Sequence, residues 1–256
     1  MSFVRLRAPG WSAAAPVAAV IFDLDGVITD TATVHAAAWK ALFDRFLSTR
    51  PPQVGEDHRP FSDDDYRRLV DGKARHDGVA SFLTERGIHL ETGRPDDESD
   101  ATVHGLGNAK NRLFLEVLAA RRAPVFPSSA EMVSRLRSCG VRTAVVSASE
   151  NCAAVLDAGG VAGLFDERVD GVDARVHGLA GKPDPALFLE AAARLDVPPG
   201  QAAVVEDAIA GVQAGRAGAF GVVIGVDRFG DGRSLRDNGA DVVVTDLGKV
   251  GIDADV

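Results

Sequence analysis

Short apolar runs that end in polar residues recur along the chain, and they predict buried strands. The runs cover residues 18–22, 141–146, 202–205, 221–226 and 242–244. Apolar segments of this length, interrupted only by Arg142 and Thr143 in the second run, are typical of parallel strands that are covered on both faces. Segments with helical features separate the later runs, so the alternation predicts an α/β fold with a parallel sheet.

The pattern between the first two runs is different and predicts a helical insertion. Val34, Ala38, Leu42 and Phe46 recur at helical spacing, and Pro51 ends that helix. Further apolar positions suit short helices, and no convincing strand pattern occurs between residues 31 and 123. We therefore expect a Rossmann-like core of residues 18–31 and 124–256, with an α-helical cap domain of residues 32–123 inserted into it. Residues 1–17 lack periodicity, which predicts an N-terminal extension packed loosely on the core.

Composition narrows the class of protein. The chain has 256 residues, of which 46% are hydrophobic, so it can bury the core of one large domain or two modest ones. A formal charge of −9 argues against a nucleic-acid or anionic-membrane partner. Cys139 and Cys152 form no disulfide framework, and no apolar run approaches the ~20 residues of a membrane span. A cytoplasmic monomer is the expectation.

Two carboxylates follow the first predicted strand. Asp23 and Asp25 are two residues apart, so an extended backbone directs both side chains the same way. The carboxyl ends of parallel strands are where ligands bind in open α/β sheets. Two such carboxylates can hold Mg²⁺, and one can attack phosphorus. A strand followed by an acidic turn explains the same residues equally well.

Three later positions repeat this placement of polar residues. Ser147 follows a strand and can hold phosphate oxygens, although a polar strand end is the simpler interpretation. Lys182 precedes a helix and can neutralise a phosphate, although taken alone it is more simply a surface lysine. Glu206 and Asp207 end a buried strand, where two acids are costly unless they meet a cation. For this last pair a metal site is favoured.

The joint order of these motifs resembles the haloacid dehalogenase superfamily. Within it, residues 22–40 and 147–151 are similar to the β-phosphoglucomutase group. The resemblance implies that Asp23 is the nucleophile and an Mg²⁺ ligand. Asp25 would be the general acid/base and would bind the metal through its backbone carbonyl. Ser147 and Lys182 would hold the transferring phosphoryl group, and Glu206 and Asp207 would complete the Mg²⁺ site.

The resemblance also implies the residues that recognise a phosphorylated sugar. Arg75 aligns with a cap arginine that binds the distal phosphate, and His35 aligns with a histidine at the hinge. The remaining substrate-binding candidates are Trp39, Gly72, Lys110, Asn111, Ala148, Ser149 and Asn151. Asp71 and Glu150 stand where the group has lysines, which leaves the identity of the sugar open.

The implied activity is interconversion of β-glucose 1-phosphate and glucose 6-phosphate through a bisphosphorylated sugar. A sugar-phosphate phosphatase that uses the same nucleophile is the alternative, because water can replace the sugar hydroxyl as acceptor. A catalytically inactive binding module is disfavoured, since every motif position is filled. A dehalogenase or phosphonatase is disfavoured because those branches typically lack an acid at the position of Asp25.

Overall fold

Six of the strands form a parallel sheet. The computed structural model describes residues 2–13, 15–120, 123–228, 230 and 232–254. The strands are β1 (Val4–Ala8), β2 (Trp11–Ser12), β3 (Ala19–Asp23), β4 (Arg142–Val146), β5 (Glu167–Val169), β6 (Ala202–Glu206), β7 (Val222–Val226), β8 (Val242–Val244) and β9 (Gly251–Ala254). The sheet order is β5-β4-β3-β6-β7-β8, and each neighbouring pair is parallel. The predicted α/β fold with a Rossmann-like core is confirmed.

Helices separate the strands along the chain. They are α1 (Ala32–Thr49), α2 (Asp63–Asp65), α3 (Arg75–Glu85), α4 (Val103–Ala120), α5 (Pro127–Ser138), α6 (Cys152–Gly159), α7 (Gly171–His177), α8 (Ala186–Arg194), α9 (Ile209–Ala217) and α10 (Gly232–Asp237). None of the helices in the described ranges combines the length and the apolarity required to cross a bilayer.

Strand β3 lies at the centre of the sheet, and all five of its residues are buried. The chain continues from β3 to β4 on one side and later returns to β6 on the other side. The strand order therefore reverses at β3, and this switch point opens a crevice at the carboxyl ends of the strands. Asp23, the last residue of β3, lies at that edge.

The chain forms two compact units. The core unit comprises residues 1–30 and 123–256, and the cap unit comprises residues 31–122. In the core unit, helix α8 packs on β3, β4 and β5, and helix α9 packs on β6 and β7. A cluster of buried apolar side chains, including Ile21, Phe188 and Val204, joins α8 to the sheet. This packing fixes the strand ends that carry the candidate site.

The N-terminal segment differs from the expectation of a loosely packed extension. Strand β1 pairs antiparallel with both β2 and β9 in a separate three-stranded sheet. Val4 and Leu6 are fully buried. The predicted loose packing is therefore wrong. The pairing partner of β1 lies at the other end of the sequence, so local periodicity carries no signal for it.

The cap unit has an aromatic core. Phe43 stacks on Phe82 at 3.8 Å between ring centroids and on Trp39 at 5.2 Å. Helix α1 ends at Thr49, and Arg50 alone separates its last residue from the predicted stop at Pro51. Asp65 forms a capping box with Ser62 at the start of α2, and it also pairs at 2.7 Å with the buried guanidinium of Arg86.

Candidate active site

The candidate nucleophile and the candidate phosphate-binding lysine are in direct contact. The ammonium of Lys182 donates hydrogen bonds to Asp23 Oδ1 and to Glu206 Oε1. The Lys182 side chain is 1% exposed and that of Glu206 is fully buried. Lys182 is therefore not the ordinary surface lysine that its local sequence favours. The topology brings the end of β3, the end of β6 and the segment before α8 together around one charge.

A group of carboxylates surrounds this lysine. Oxygen atoms of Asp23, Glu206 and Asp207 all lie within 4.8 Å of one another. Glu206 Oε2 also accepts a hydrogen bond from the backbone N–H of Ala208 at 2.9 Å, which fixes its orientation. Hard oxygen donors at this spacing are the ligands that Mg²⁺ prefers.

Two glycines allow these acids to sit where they do. Gly26 has a φ of +82°, and a Cβ on it would lie 1.7 Å from Asp207 Oδ2. A Cβ on Gly211, in the first turn of α9, would lie 1.9 Å from Glu206 Oε1. A side chain at either position would displace a carboxylate of the group. Gly211 was not among the candidate residues from the sequence. The one feature of the sequence that could have indicated its role is its position shortly after the acidic pair at the end of β6.

Negative charge exceeds positive charge among the carboxylates around Lys182. Burial raises the pKa of the Asp23 carboxyl well above its usual range, and Glu206 and Asp25 add to the rise while Lys182 opposes it. Burial alone would lower the pKa of the Lys182 ammonium, but the carboxylates of Asp23 and Glu206 raise it above its usual range. The lysine therefore stays charged, and acidic groups outnumber it. A divalent cation fits this donor set because it would offset the excess negative charge.

Asp25 lies beside the next strand end. Its side chain is half-buried, and Ser147 Oγ lies 3.5 Å from Asp25 Oδ2. Among the described residues, the carboxylate group that can hold a metal consists of Asp23, Glu206 and Asp207 side chains. Coordination of a metal by Asp25 through its backbone carbonyl stays a prediction.

The loop after β4 is shaped by its own serines. Ser147 Oγ accepts a hydrogen bond from the N–H of Ser149, and Ser149 Oγ accepts one from the N–H of Asn151, each at 3.1 Å. Residues 147–151, including Ala148, thus form a tight polar loop beside Asp25. Glu150, which replaces a lysine of the resembled group, pairs with Arg175 at 2.9 Å. Arg175 restores one positive charge near that position.

A second cluster of candidate residues lies within the cap unit. Lys110 is 5% exposed and hydrogen-bonds His35 Nδ1. Its ammonium lies 5.1 Å from the centre of the Trp39 ring and 5.0 Å from that of Phe114. His35 stacks on Phe114 with ring centroids 4.1 Å apart. Helices α1 and α4 therefore bring His35, Trp39 and Lys110 together.

Arg75 lies at a helix start. Arg75 is the first residue of α3, and Gly72 forms the preceding turn with a φ of +68°. A Cβ on Gly107 would lie 3.3 Å from Arg75 Cγ, so Arg75 packs against α4. Asn111, half-buried, follows Gly107 by four positions and shares that face of α4. The N-terminal end of a helix attracts anions, as does a guanidinium.

Comparison with known proteins identifies the family. A family model described as haloacid dehalogenase-like hydrolase matches residues 17–218. The chain belongs to the haloacid dehalogenase-like hydrolase family. The chain is therefore an enzyme of that family.

Individual relatives are more specific. The chain is 48% identical over 239 residues to a β-phosphoglucomutase of Mycobacterium bovis, with 91% of each chain covered. It is 34% identical over 210 residues to a β-phosphoglucomutase of Bacillus subtilis, with 81% of this chain and 83% of the relative covered. A crystal structure of β-phosphoglucomutase from Clostridium difficile matches with a TM-score of 0.71 at 25% identity, covering 91% of this chain and 92% of that one.

Proposed function

We propose that this haloacid dehalogenase-like enzyme is an Mg²⁺-dependent phosphosugar mutase that interconverts β-D-glucose 1-phosphate and glucose 6-phosphate. The observation that carries the proposal is the arrangement of Asp23 against Lys182, with a second carboxyl, Asp25, beside it. A relative that is 48% identical over 91% of both chains is a β-phosphoglucomutase, which supports the same substrate class.

The chemistry proceeds through the protein's own carboxylates. A carboxylate oxygen of Asp23 attacks a phosphorus of glucose 1,6-bisphosphate, and the bond from phosphorus to the sugar oxygen breaks. The proton on Asp25 passes to that sugar oxygen. When the phosphorus is the one on C1, the glucose 6-phosphate that forms leaves, and β-glucose 1-phosphate binds in its place. Asp25 then takes the proton from the 6-hydroxyl of β-glucose 1-phosphate, and the oxygen of that hydroxyl attacks the aspartyl-phosphate. The bond from phosphorus to Asp23 breaks, which regenerates the bisphosphate and frees Asp23.

Positive charge is required throughout this transfer. Lys182 and Ser147 hold the equatorial oxygens of the transferring group, because phosphoryl transfer depends on positioning and on charge neutralisation. Asp23, Glu206 and Asp207, with the Asp25 carbonyl, would hold Mg²⁺, which neutralises phosphate charge when bound. The remaining candidates in the cap unit and in the loop after β4 bind the sugar and its second phosphate.

One assay tests the proposal directly. The purified protein is given Mg²⁺, β-glucose 1-phosphate and a trace of the bisphosphate, and glucose 6-phosphate and free phosphate are measured separately. We expect glucose 6-phosphate to form much faster than free phosphate. Free phosphate without glucose 6-phosphate would instead identify a phosphatase, which is the alternative activity of the same nucleophile.

Arg75 separates the two activities further. A mutase must hold a second phosphate away from the reacting one, and the loss of a charged bidentate contact costs about 1.5–3 kcal/mol per hydrogen bond. Arg75→Ala should therefore lower mutase turnover about ten- to a thousandfold. Hydrolysis of acetyl phosphate, which has no second phosphate, should change little. Arg94→Ala, at an 81% exposed arginine of the cap unit, is the matched control.

A further inference from the structure

Arg228 follows β7 and contacts the turn that carries Asp25, although it is absent from the sequence candidates. Its Nε donates a hydrogen bond to the backbone carbonyl of Gly26 at 2.7 Å. Its guanidinium carbon lies 3.6 Å from the centre of the Phe126 ring. Its side chain is thus held by a hydrogen bond at its Nε and by an aromatic face.

The turn contacted by Arg228 is a short segment between β3 and α1. The N–H of Gly26 donates to Thr29 O at 2.7 Å, and the N–H groups of Ile28 and Thr29 both donate to Leu24 O at 2.9 Å. Ser129 Oγ donates to Val27 O at 2.7 Å from the side of α5. These bonds fix the amide groups of the turn and the carbonyl of residue 27.

The carbonyl of Gly26 needs a separate restraint. Gly26 has no Cβ and a positive φ, so sterics restrict its backbone less than that of other residues. The hydrogen bond from Arg228 supplies an orientation for this carbonyl. Because Asp25 directly precedes Gly26, a change in the backbone of Gly26 is transmitted to the position of Asp25.

Arg228 also joins loops from different strands. Asp207, Asp246 and Asp30 all act electrostatically on its guanidinium. Asp207 belongs to the carboxylate group after β6 and lies directly over Gly26. Arg228 therefore connects the loop after β7 with the turn after β3, at the point where the β6 loop packs on that turn.

We propose that Arg228 is a positioning residue for proton transfer: it fixes the Gly26 turn so that the Asp25 carboxyl faces the reacting oxygen. This inference rests on the proposed role of Asp25 as general acid/base. It adds a residue that makes no bond to substrate and acts through the backbone of the turn.

Leaving-group dependence tests this role. A poor leaving group needs a proton as its bond to phosphorus breaks, whereas a good leaving group departs without one. Displacement of a catalytic group by about 1 Å can cost about 10²-fold. In Arg228→Met, which keeps the apolar stem and removes the donor, kcat/KM for phenyl phosphate should fall about 10- to 100-fold. With acetyl phosphate the fall should be less than about threefold, because acetate needs little protonation.

Control variants separate positioning from simple support of the fold. Arg216 also donates through Nε to a backbone carbonyl, that of Gly239 at 3.0 Å, and Arg216→Met should leave both substrates unaffected. Arg228→Lys keeps one donor and should recover part of the loss with phenyl phosphate. Phe126→Leu removes the stacking face and keeps the arginine, so it should give a smaller loss of the same kind. Thermal unfolding of each variant is measured in parallel.

The outcomes are distinct. An equal fall with both substrates, or no fall with either, in Arg228→Met would overturn the positioning role. If Arg228→Met does not fold, the same comparison in Phe126→Leu decides the question. The wild-type protein is measured first with Mg²⁺: if it releases neither phenol nor acetate, the proposed function fails rather than the role of Arg228.

Discussion

Replacement of Lys182 by methionine removes a buried positive charge while keeping an unbranched side chain of similar length. The ammonium is hydrogen-bonded to Asp23 and Glu206, and the Glu206 side chain has no exposure to solvent. Removing one partner of a buried ion pair leaves an uncompensated charge and costs about 3–5 kcal/mol. We therefore expect the free energy of unfolding of Lys182→Met to fall by about 3–5 kcal/mol.

The assay is urea denaturation with EDTA present, so that divalent ions do not replace the lost charge. Trp11 reports on the core unit and Trp39 on the cap unit, and circular dichroism gives an independent probe. Coincident transitions establish that a single free energy describes the unfolding. Lys249→Met is the matched control, since Lys249 is exposed and, among the described contacts, its ammonium bonds only the Thr245 hydroxyl. This substitution should change the free energy of unfolding by less than about 0.5 kcal/mol.

A second substitution identifies the cause of the loss. Glu206→Gln in the Lys182→Met background removes one of the stranded carboxylates, so the double variant should recover about 1–3 kcal/mol. A fall of less than about 1 kcal/mol in the free energy of unfolding of Lys182→Met, or no recovery in the double variant, would refute the conclusion that Lys182 stabilises the fold by neutralising buried carboxylates. Mutase turnover should be abolished in Lys182→Met and stay absent in the double variant.

Three further predictions concern catalysis and pH. Asp23→Asn should abolish nearly all turnover and leave the circular dichroism spectrum unchanged, because only the attacking carboxylate is lost; substantial residual turnover would remove Asp23 as nucleophile. Asp25→Asn should slow transfer about 10²–10⁴-fold with unchanged Mg²⁺ affinity by calorimetry, and a collapse of that affinity would make its side chain a ligand. The side-chain hydrogen bond from Arg50 lowers the pKa of Glu56 from 4.5 to about 2. The ionised Glu56 carboxylate therefore stabilises the fold above pH 4.5, and this contribution is lost as the pH falls towards 2. We expect the melting-temperature difference between wild type and Glu56→Gln to shrink by about half between pH 7 and pH 3. A constant difference would contradict the lowered pKa of Glu56.

Local patterns in the sequence were sufficient for the fold class and for the ends of the strands that carry the candidate site, whereas the short strand β5 was not predicted. Apolar runs that end in Asp23, Ser147 and Glu206 indicate both buried parallel strands and the edge at which they terminate. The capping arrangement of Ser62 and the helix end before Pro51 are also local, because each depends on contacts within one turn of the chain. The sequence alone predicts such features because each depends on residues that are close to one another along the chain.

Only the tertiary structure decided which distant residues meet. Strand β1 pairs with β9 near the opposite end of the chain, and Arg228 bonds the carbonyl of Gly26 across 202 positions. Lys182 is ordinary in its local sequence, yet packing buries it between two carboxylates of different strands. Such contacts depend on strand order and on the packing of helices across the sheet, and neither is encoded in the spacing of neighbouring residues.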